Sequence, residues 1–176
     1  MRKILYLCSV VFENKSTMRE KKHISVDDMV HRLARWCSKA EHCTFDVRQK
    51  LAAVNMPESD KEEVIRILVR EKFINDERFC KAFVNDRSKY YHWGMWKLRY
   101  ALQKKEIPEQ MIDAAIDAIP KEDNIKRLSI TLFRKRKIIK DKEKAEIHLR
   151  LTKFAESKGF TRDEIEQALK IMEDSL

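Results

Sequence analysis

Cysteine, histidine and carboxylate side chains are the groups in this chain that could do chemistry, as metal ligands, nucleophiles or acids and bases. The four cysteines have none of the paired spacings that zinc sites or redox motifs use. His42 stands beside Cys43, but no further ligand follows at a suitable spacing. Cys37 and Cys80 fall on apolar helical stripes, which indicates buried, reduced thiols. We therefore expect a cytoplasmic chain with no metal site and no cofactor.

A catalytic constellation is equally hard to find. Asp76, Glu77 and Asp86 form the nearest thing to a carboxylate cluster, but they occupy the start and outer face of a helix. No serine stands on a strand-to-helix elbow. With only Gly94 and Gly159, the chain cannot form a glycine-rich phosphate loop or a dinucleotide fingerprint. We expect no enzymatic activity.

Basic side chains are the better candidates for function. The net charge of +9 is uneven: it is +4 in residues 1–22, 0 in 23–72, +1 in 73–120 and +4 in 121–176. The run Arg134, Lys135, Arg136 and Lys137 covers every side of a helix end, so at least two of these cations face outward together. Such a surface suits phosphates or an acidic protein groove, although a solvated helix end would read the same way.

A second basic group lies in the middle of the chain beside large rings. Its cations flank Leu98 and are Lys97, Arg99, Lys104 and Lys105. Of the two neighbouring tryptophans we expect Trp96 to pack in the core and Trp93 to serve as an anchor for a partner. Tyr90 and Tyr91 are consecutive and cannot both face the core. Tyr90 extends the Phe79 stripe, which leaves Tyr91 as the surface ring.

The sequence predicts that these candidate residues lie on α-helices. The chain has two glycines, three prolines and 38% charged residues, which favours an all-α protein. Helix starts are predicted at Ser25 with Asp28, at Thr44, at a Ser59 to Glu62 capping box, at Asn75 and at a Thr161 to Glu164 capping box. Gly94 is expected to separate the helix that begins after Asn75 from the next one.

The same three-helix pattern occurs three times, in residues 23–72, 73–120 and 121–176. The register comes from the junctions Asn55-Met56-Pro57, Glu106-Ile107-Pro108 and Gly159-Phe160-Thr161, offset by 51 and 53 residues. The first residue of each suits a left-handed helix end, the second folds back onto the last turn, and the third starts the next helix. We predict tandem three-helix bundles, three units in all, in an elongated molecule with room for curvature.

Residues 1–22 lie outside this pattern. The apolar stretch 4–12 is too short to cross a bilayer, and no small-residue cleavage site follows it. Met18 offers an alternative start. We leave this extension out of the fold and expect no membrane association.

The order of several fragments resembles the central region of the RecX family, the regulators of the RecA recombinase. They are FINDERF at 73–79, AFVNDR at 82–87, Trp93-Gly94, Leu98, Arg99 and Leu102, and KKEIP at 104–108. Glu106 departs from the family's pattern, which tends to carry glycine there, and this puts the local helix end in question.

The resemblance implies tandem three-helix units that lie along the groove of the RecA filament on single-stranded DNA. There the family limits filament growth and suppresses ATP hydrolysis and strand exchange, with no chemistry of its own. The implied partner is the RecA nucleoprotein filament. From the residues themselves we expect a monomer that contacts this filament through the basic patches of its middle and last bundles. The rival class is a stand-alone protein that binds single-stranded or duplex DNA. No recognition-helix motif supports that rival.

Overall fold

The computed structural model describes residues 24–140 and 143–175, and these ranges contain helices and no strand. The prediction for residues 1–22, and Cys8 with it, lies outside the described residues. The helices are α1 (Val26–Cys37), α2 (Thr44–Ala52), α3 (Glu58–Arg70), α4 (Asp76–Tyr91), α5 (Met95–Gln103), α6 (Glu109–Asp117), α7 (Lys121–Arg136), α8 (Lys144–Ser157) and α9 (Arg162–Glu173). The predicted all-α class of tandem helical repeats is confirmed.

Three of the predicted helix starts have the expected cap. The Ser25 hydroxyl accepts from the Asp28 amide at 3.1 Å, and the Asn75 side chain accepts from the Arg78 amide at 2.8 Å. Thr161 and Glu164 form the complete capping box at the start of α9. These bonds satisfy amides that the first turn of a helix leaves without a partner.

At two other helix starts the predicted cap was wrong. Thr44 does not cap α2: Cys43 occupies the cap position, and the Thr44 amide donates to Asp76 Oδ1 at 2.7 Å. A carboxylate from a different helix thus does the capping. Ser59 does not form a capping box either, because α3 already begins after Pro57 and the Ser59 hydroxyl turns to Asp60.

Each set of three consecutive helices encloses its own apolar cluster. The first cluster lies among α1, α2 and α3 around Leu33, Val47 and Leu68. The second lies among α4, α5 and α6 around Val84, Leu98 and Ile112, and the third among α7, α8 and α9 around Leu132, Leu151 and Ile165. All nine of these side chains are buried. Separate small cores of this kind are what serial bundles require.

The junctions between second and third helices behave largely as predicted. Met56, Ile107 and Phe160 are all buried, and Glu106 and Gly159 have left-handed backbones with φ of 57° and 88°. Asn55 does not adopt a positive φ, so that part of the prediction was wrong. Gly94 separates α4 from α5, as predicted: it is the residue before α5, whereas His92 ends α4 with φ of 53°.

The first and second units are joined by side chains. Besides the Asp76 cap on α2, Arg78 Nε lies 2.7 Å from Glu41 Oε1, and Lys105 Nζ lies 2.5 Å from Asp46 Oδ1. Ile74 packs in the first core although it follows residue 72, whereas Cys43 packs in the second. The boundaries at 72/73 and 120/121 accordingly stay a proposal, and so does the elongated shape.

The second and third units are joined by backbone. The Gly94 amide donates to the Lys158 carbonyl at 2.8 Å, and the Trp96 amide donates to the Gly159 carbonyl at 3.2 Å. The end of α8 therefore satisfies amides at the start of α5. A Cβ on Gly94 would collide with the backbone of Gly159, and one on Gly159 would lie 2.5 Å from Lys97 Cβ. We call this contact the glycine crossing.

A buried polar contact lies between the same two units. The Ser88 hydroxyl of α4 and the Asn124 side chain of α7 are both buried, with their oxygens 3.3 Å apart, and Arg127 Nη1 donates to the Ser88 hydroxyl at 3.2 Å.

Within the described ranges, none of the helices combines the length and apolar character that a bilayer crossing requires.

Replacing Gly94 by alanine tests the closeness of the crossing. The φ of Gly94 is −80°, which alanine adopts without strain, so only the added methyl group is at issue. Because that group meets backbone and not a flexible side chain, we expect the free energy of unfolding to fall by about 1–3 kcal/mol.

Chemical denaturation followed by circular dichroism measures this change. Asn55→Ala is the control, since Asn55 is exposed and lies in the loop before α3; its effect should stay within about 0.5 kcal/mol. A Gly94→Ala variant as stable as the control would contradict the close approach.

Candidate partner-binding surface

The basic run at the end of α7 divides into two pairs. Arg134 and Lys137 are exposed, whereas Lys135 and Arg136 are half-buried. Lys135 Nζ lies 5.3 Å from the Phe154 ring centroid, and Lys137 Nζ lies 4.3 Å from that of Phe133. Arg134 and Lys137 are three residues apart and share one helix face. Neither lies within 4 Å of a carboxylate of the described residues, so their charge is available to a partner.

The predicted cations of the second unit are mostly engaged inside the chain. Arg99 pairs with Glu109 and, at 2.6 Å, with Asp113. Lys105 bridges to Asp46 of the first unit, and Lys97 Nζ donates to the Ser157 carbonyl at 2.9 Å. Only Lys104 among the four is exposed and has no carboxylate partner among the described residues. Arg99 and Lys105 thus have structural contacts that the sequence pattern did not indicate.

The ion pair between Lys105 and Asp46 links the second unit to the first. Burial alone would raise the pKa of Asp46, but the hydrogen bond and charge of Lys105, together with hydrogen bonds from Cys43, outweigh burial and hold that pKa below its ordinary value. The carboxylate therefore stays ionised beside Lys105. Lys105 is a link between units one and two and offers little to an outside partner.

A group of cations gathers where the second unit meets the third. We call it the junction patch and define it as Arg87, Lys97, Arg127, Arg134 and Lys158. Lys158 Nζ donates to the Tyr91 carbonyl at 3.2 Å. The Arg87 guanidinium lies 4.4 Å from the Tyr91 ring centroid and 5.3 Å from that of Trp93.

The partners of the junction patch are neutral. Four of its members contact carbonyls, a hydroxyl or aromatic rings, and none of the five lies within 4 Å of a carboxylate of the described residues. Neutral acceptors orient a cation without cancelling its charge. The patch therefore keeps a positive field that favours anions.

Two pKa values respond to this crowding. Burial lowers the pKa of Lys158, and the neighbouring Lys97 lowers it further. Burial likewise lowers the pKa of His92, with further contributions from Lys158, Arg134 and Arg127. Nδ1 of His92 is buried and has no hydrogen-bond partner. In both cases the neighbouring cations disfavour a further positive charge.

The aromatic residues differ from prediction. Trp93 is half-buried, with its ring 6.1 Å from Phe83 and nearly perpendicular to it, whereas Trp96 is 64% exposed. The prediction that Trp96 packs in the core was therefore wrong. It lies two positions before the buried Leu98, about 200° around the helix.

The tyrosines require one correction as well. Tyr91 is 51% exposed, as predicted, but Tyr90 is 74% exposed and does not extend the core. The buried line of α4 runs through Val84 to Ser88, which faces Asn124. Tyr90 follows Ser88 by two positions and points to the opposite side.

Thiol chemistry is disfavoured by burial. Burial raises the pKa values of Cys43 and Cys80 to about 11, and it raises that of Cys37 as well. A thiol with a raised pKa is a poor nucleophile at neutral pH. Cys37, Cys43 and Cys80 are free and buried, and the described residues hold no group of three or more potential ligands able to bind a metal ion.

Comparison with known proteins gives the same family at the level of sequence. The family model described as the second three-helix domain of RecX matches residues 75–116. The regulatory protein RecX of Vibrio parahaemolyticus is 26% identical over 137 residues, which cover 78% of this chain and 86% of that protein. The sequence of this chain is similar to that of the RecX family.

Another RecX protein and a RecX crystal structure are also similar to this chain, and they are covered by it to different extents. The regulatory protein RecX of Clostridium tetani is 30% identical over 133 residues, covering 74% of this chain and 59% of that longer protein. The crystal structure of RecX from Lactobacillus salivarius superposes with a TM-score of 0.74 at 16% identity and covers 84% of this chain and 96% of that one. That likeness establishes the shared fold.

The family model covers only part of the surface described above. Residues 75–116 include Arg87, Tyr91, Lys97 and the whole of α5, whereas the basic end of α7 lies outside them. Arg127, Arg134 and Lys158 join the junction patch only because α7 and α8 fold against the second unit. No sequence motif indicated that Arg87, Arg127 and Lys158 would come together.

Acidification should weaken the fold through His92. Because its pKa is lower in the folded chain, the unfolded chain binds the proton more readily, and stability is lost as pH falls below about 6.5. His92→Asn keeps a residue that tolerates the left-handed backbone and removes the titration.

The measurement is the free energy of unfolding at pH 7.5 and pH 5.5. We expect a smaller loss on acidification for His92→Asn than for the parent chain. His42, whose pKa burial also lowers, remains in both proteins and supplies a common background. Equal losses in the two chains would show that folding does not lower the pKa of His92.

Proposed function

We propose that this chain is a regulator that binds the RecA filament on single-stranded DNA and limits its growth, its ATP hydrolysis and its strand exchange. The similarity to the RecX family supports this proposal, and the relatives are named regulatory proteins. The chain acts as a monomer in the cytoplasm and performs no chemistry itself. Its effect comes from occupying a surface of the filament.

The observation that carries the proposal is the uncompensated charge at the end of α7. Arg134 and Lys137 are exposed on one face and have no carboxylate within 4 Å among the described residues. A nucleoprotein filament offers phosphates and acidic side chains to such a face. The buried thiols and the neutral junction contacts, by contrast, offer nothing that turns over a substrate.

The serial architecture supports the same conclusion. Each unit has its own core, so each can meet a different part of a repeating polymer. Contacts of modest strength that are linked along one chain bind with high effective concentration once the first has formed. A regulator of a filament can therefore work without a deep pocket.

Charge reversal at the exposed pair tests the proposal. Arg134→Glu with Lys137→Glu should raise the concentration needed for half-maximal inhibition of RecA ATPase on single-stranded DNA by about tenfold or more, because like charges then face the filament. Helical content by circular dichroism should not change, since neither side chain is buried.

The matched control is Lys121→Glu with Lys126→Glu. Lys121 and Lys126 are exposed and lie on the same helix, but toward its N-terminal end. Their substitution changes the net charge by the same amount. This control should inhibit like the parent chain. Equal weakening of both variants would reduce the effect to net charge, and unaltered inhibition by the first variant would remove the end of α7 from the contact.

A further inference from the structure

The outward face of α5 carries two large rings one helical turn apart. Trp96 is 64% exposed and Tyr100 is 59% exposed. One turn further on, Lys104 Nζ lies 4.6 Å from the centroid of the Tyr100 ring. We call Trp96, Tyr100 and Lys104 the α5 stripe. Aromatic rings of this size are costly to leave in water, and together they mark a surface that binds something.

The charge of this face restricts what it can bind. The sequence of α5 contains no acidic residue. The nearest carboxylates on α6, Glu109 and Asp113, are held by Arg99. Lys104 has no carboxylate partner among the described residues. The α5 stripe is therefore aromatic and cationic.

The stripe is continuous with the junction patch. The Trp96 amide is bonded to the Gly159 carbonyl, so the first turn of α5 lies directly on the end of α8. Lys97 and Lys158 flank that contact and direct their ammonium groups to carbonyls. Positive charge thus extends from Lys104 at the end of α5 to the cations beside its start.

We propose that the α5 stripe is a binding surface for single-stranded nucleic acid, with bases stacked on Trp96 and Tyr100 and phosphates held by Lys104 and the junction patch. Exposed rings interleaved with cations are the pattern of surfaces that bind single strands without sequence preference. A duplex keeps its bases stacked on each other and cannot offer their faces to the rings. This inference goes beyond the proposed function, because such binding needs no recombinase.

The test uses the full chain and a fluorescently labelled oligothymidylate of about 16 nucleotides, at low salt and with no recombinase present. Fluorescence anisotropy measures its affinity. Trp96→Ala and Tyr100→Ala should each weaken binding by about 5- to 150-fold, the usual effect of losing one stacked base. Trp96→Phe should restore most of the affinity, because it keeps a ring.

Leu149→Ala is the control for removing an exposed apolar side chain. Leu149 is 51% exposed on α8 and is not part of the stripe. Its affinity for oligothymidylate should equal that of the parent chain. A duplex of the same length should bind more weakly than the single strand and should respond to neither ring substitution.

Two results would overturn the proposal. One is the failure of the parent chain to bind oligothymidylate at low salt. The other is an unchanged affinity in both ring variants, and if those variants also fail to inhibit RecA ATPase, the stripe is a contact for protein. The proposed function has its own readout in the ATPase assay, so its failure is distinguishable from the failure of this inference.

Discussion

The close approach of Gly94 and Gly159 is the contact on which the positive surface depends. Amides at the start of α5 are satisfied by carbonyls at the end of α8, at 2.8 and 3.2 Å. Neither position has room for a Cβ. Because the hydrogen bonds join backbone to backbone, they fix the second unit against the third more rigidly than long side chains could. Lys97 and Lys158 then reach across this contact to carbonyls of the opposite unit.

The two joints of the chain use charge in opposite ways. Between the first and second units, Arg78 and Lys105 face Glu41 and Asp46, so the charges cancel. Between the second and third units the backbone supplies the cohesion, and the cations need no carboxylates there. Positive charge consequently remains at the second joint and at the end of α7. The net charge is zero in residues 23–72 and +4 in 121–176. The excess positive charge therefore lies on the side of the chain that contains the second joint and the end of α7.

Much of the fold could be predicted from the sequence, because local signals and burial agreed. The caps at Ser25, Asn75 and Thr161 formed, and the apolar residue of each junction is buried. Errors arose where an outside group decided the outcome. Asp76 caps α2 from another helix, which no pattern around Thr44 shows. Trp96 was different: it lies two positions before the buried Leu98 and so on the other side of α5, which the sequence already indicates. The junction patch was not predictable, since it needs α7 and α8 in place.

Hydrogen exchange at the amides of Gly94 and Trp96 tests the glycine crossing most directly. The first amides of a helix have no acceptor of their own and exchange quickly unless something else bonds them. If α8 supplies those acceptors, both amides should be protected about as strongly as the amide of Leu98 inside α5. The first amides of α6, which Pro108 leaves without a side-chain cap, are the comparison and should exchange fast. Exchange at Gly94 and Trp96 as fast as at the start of α6 would contradict a fixed joint and the positive surface built on it.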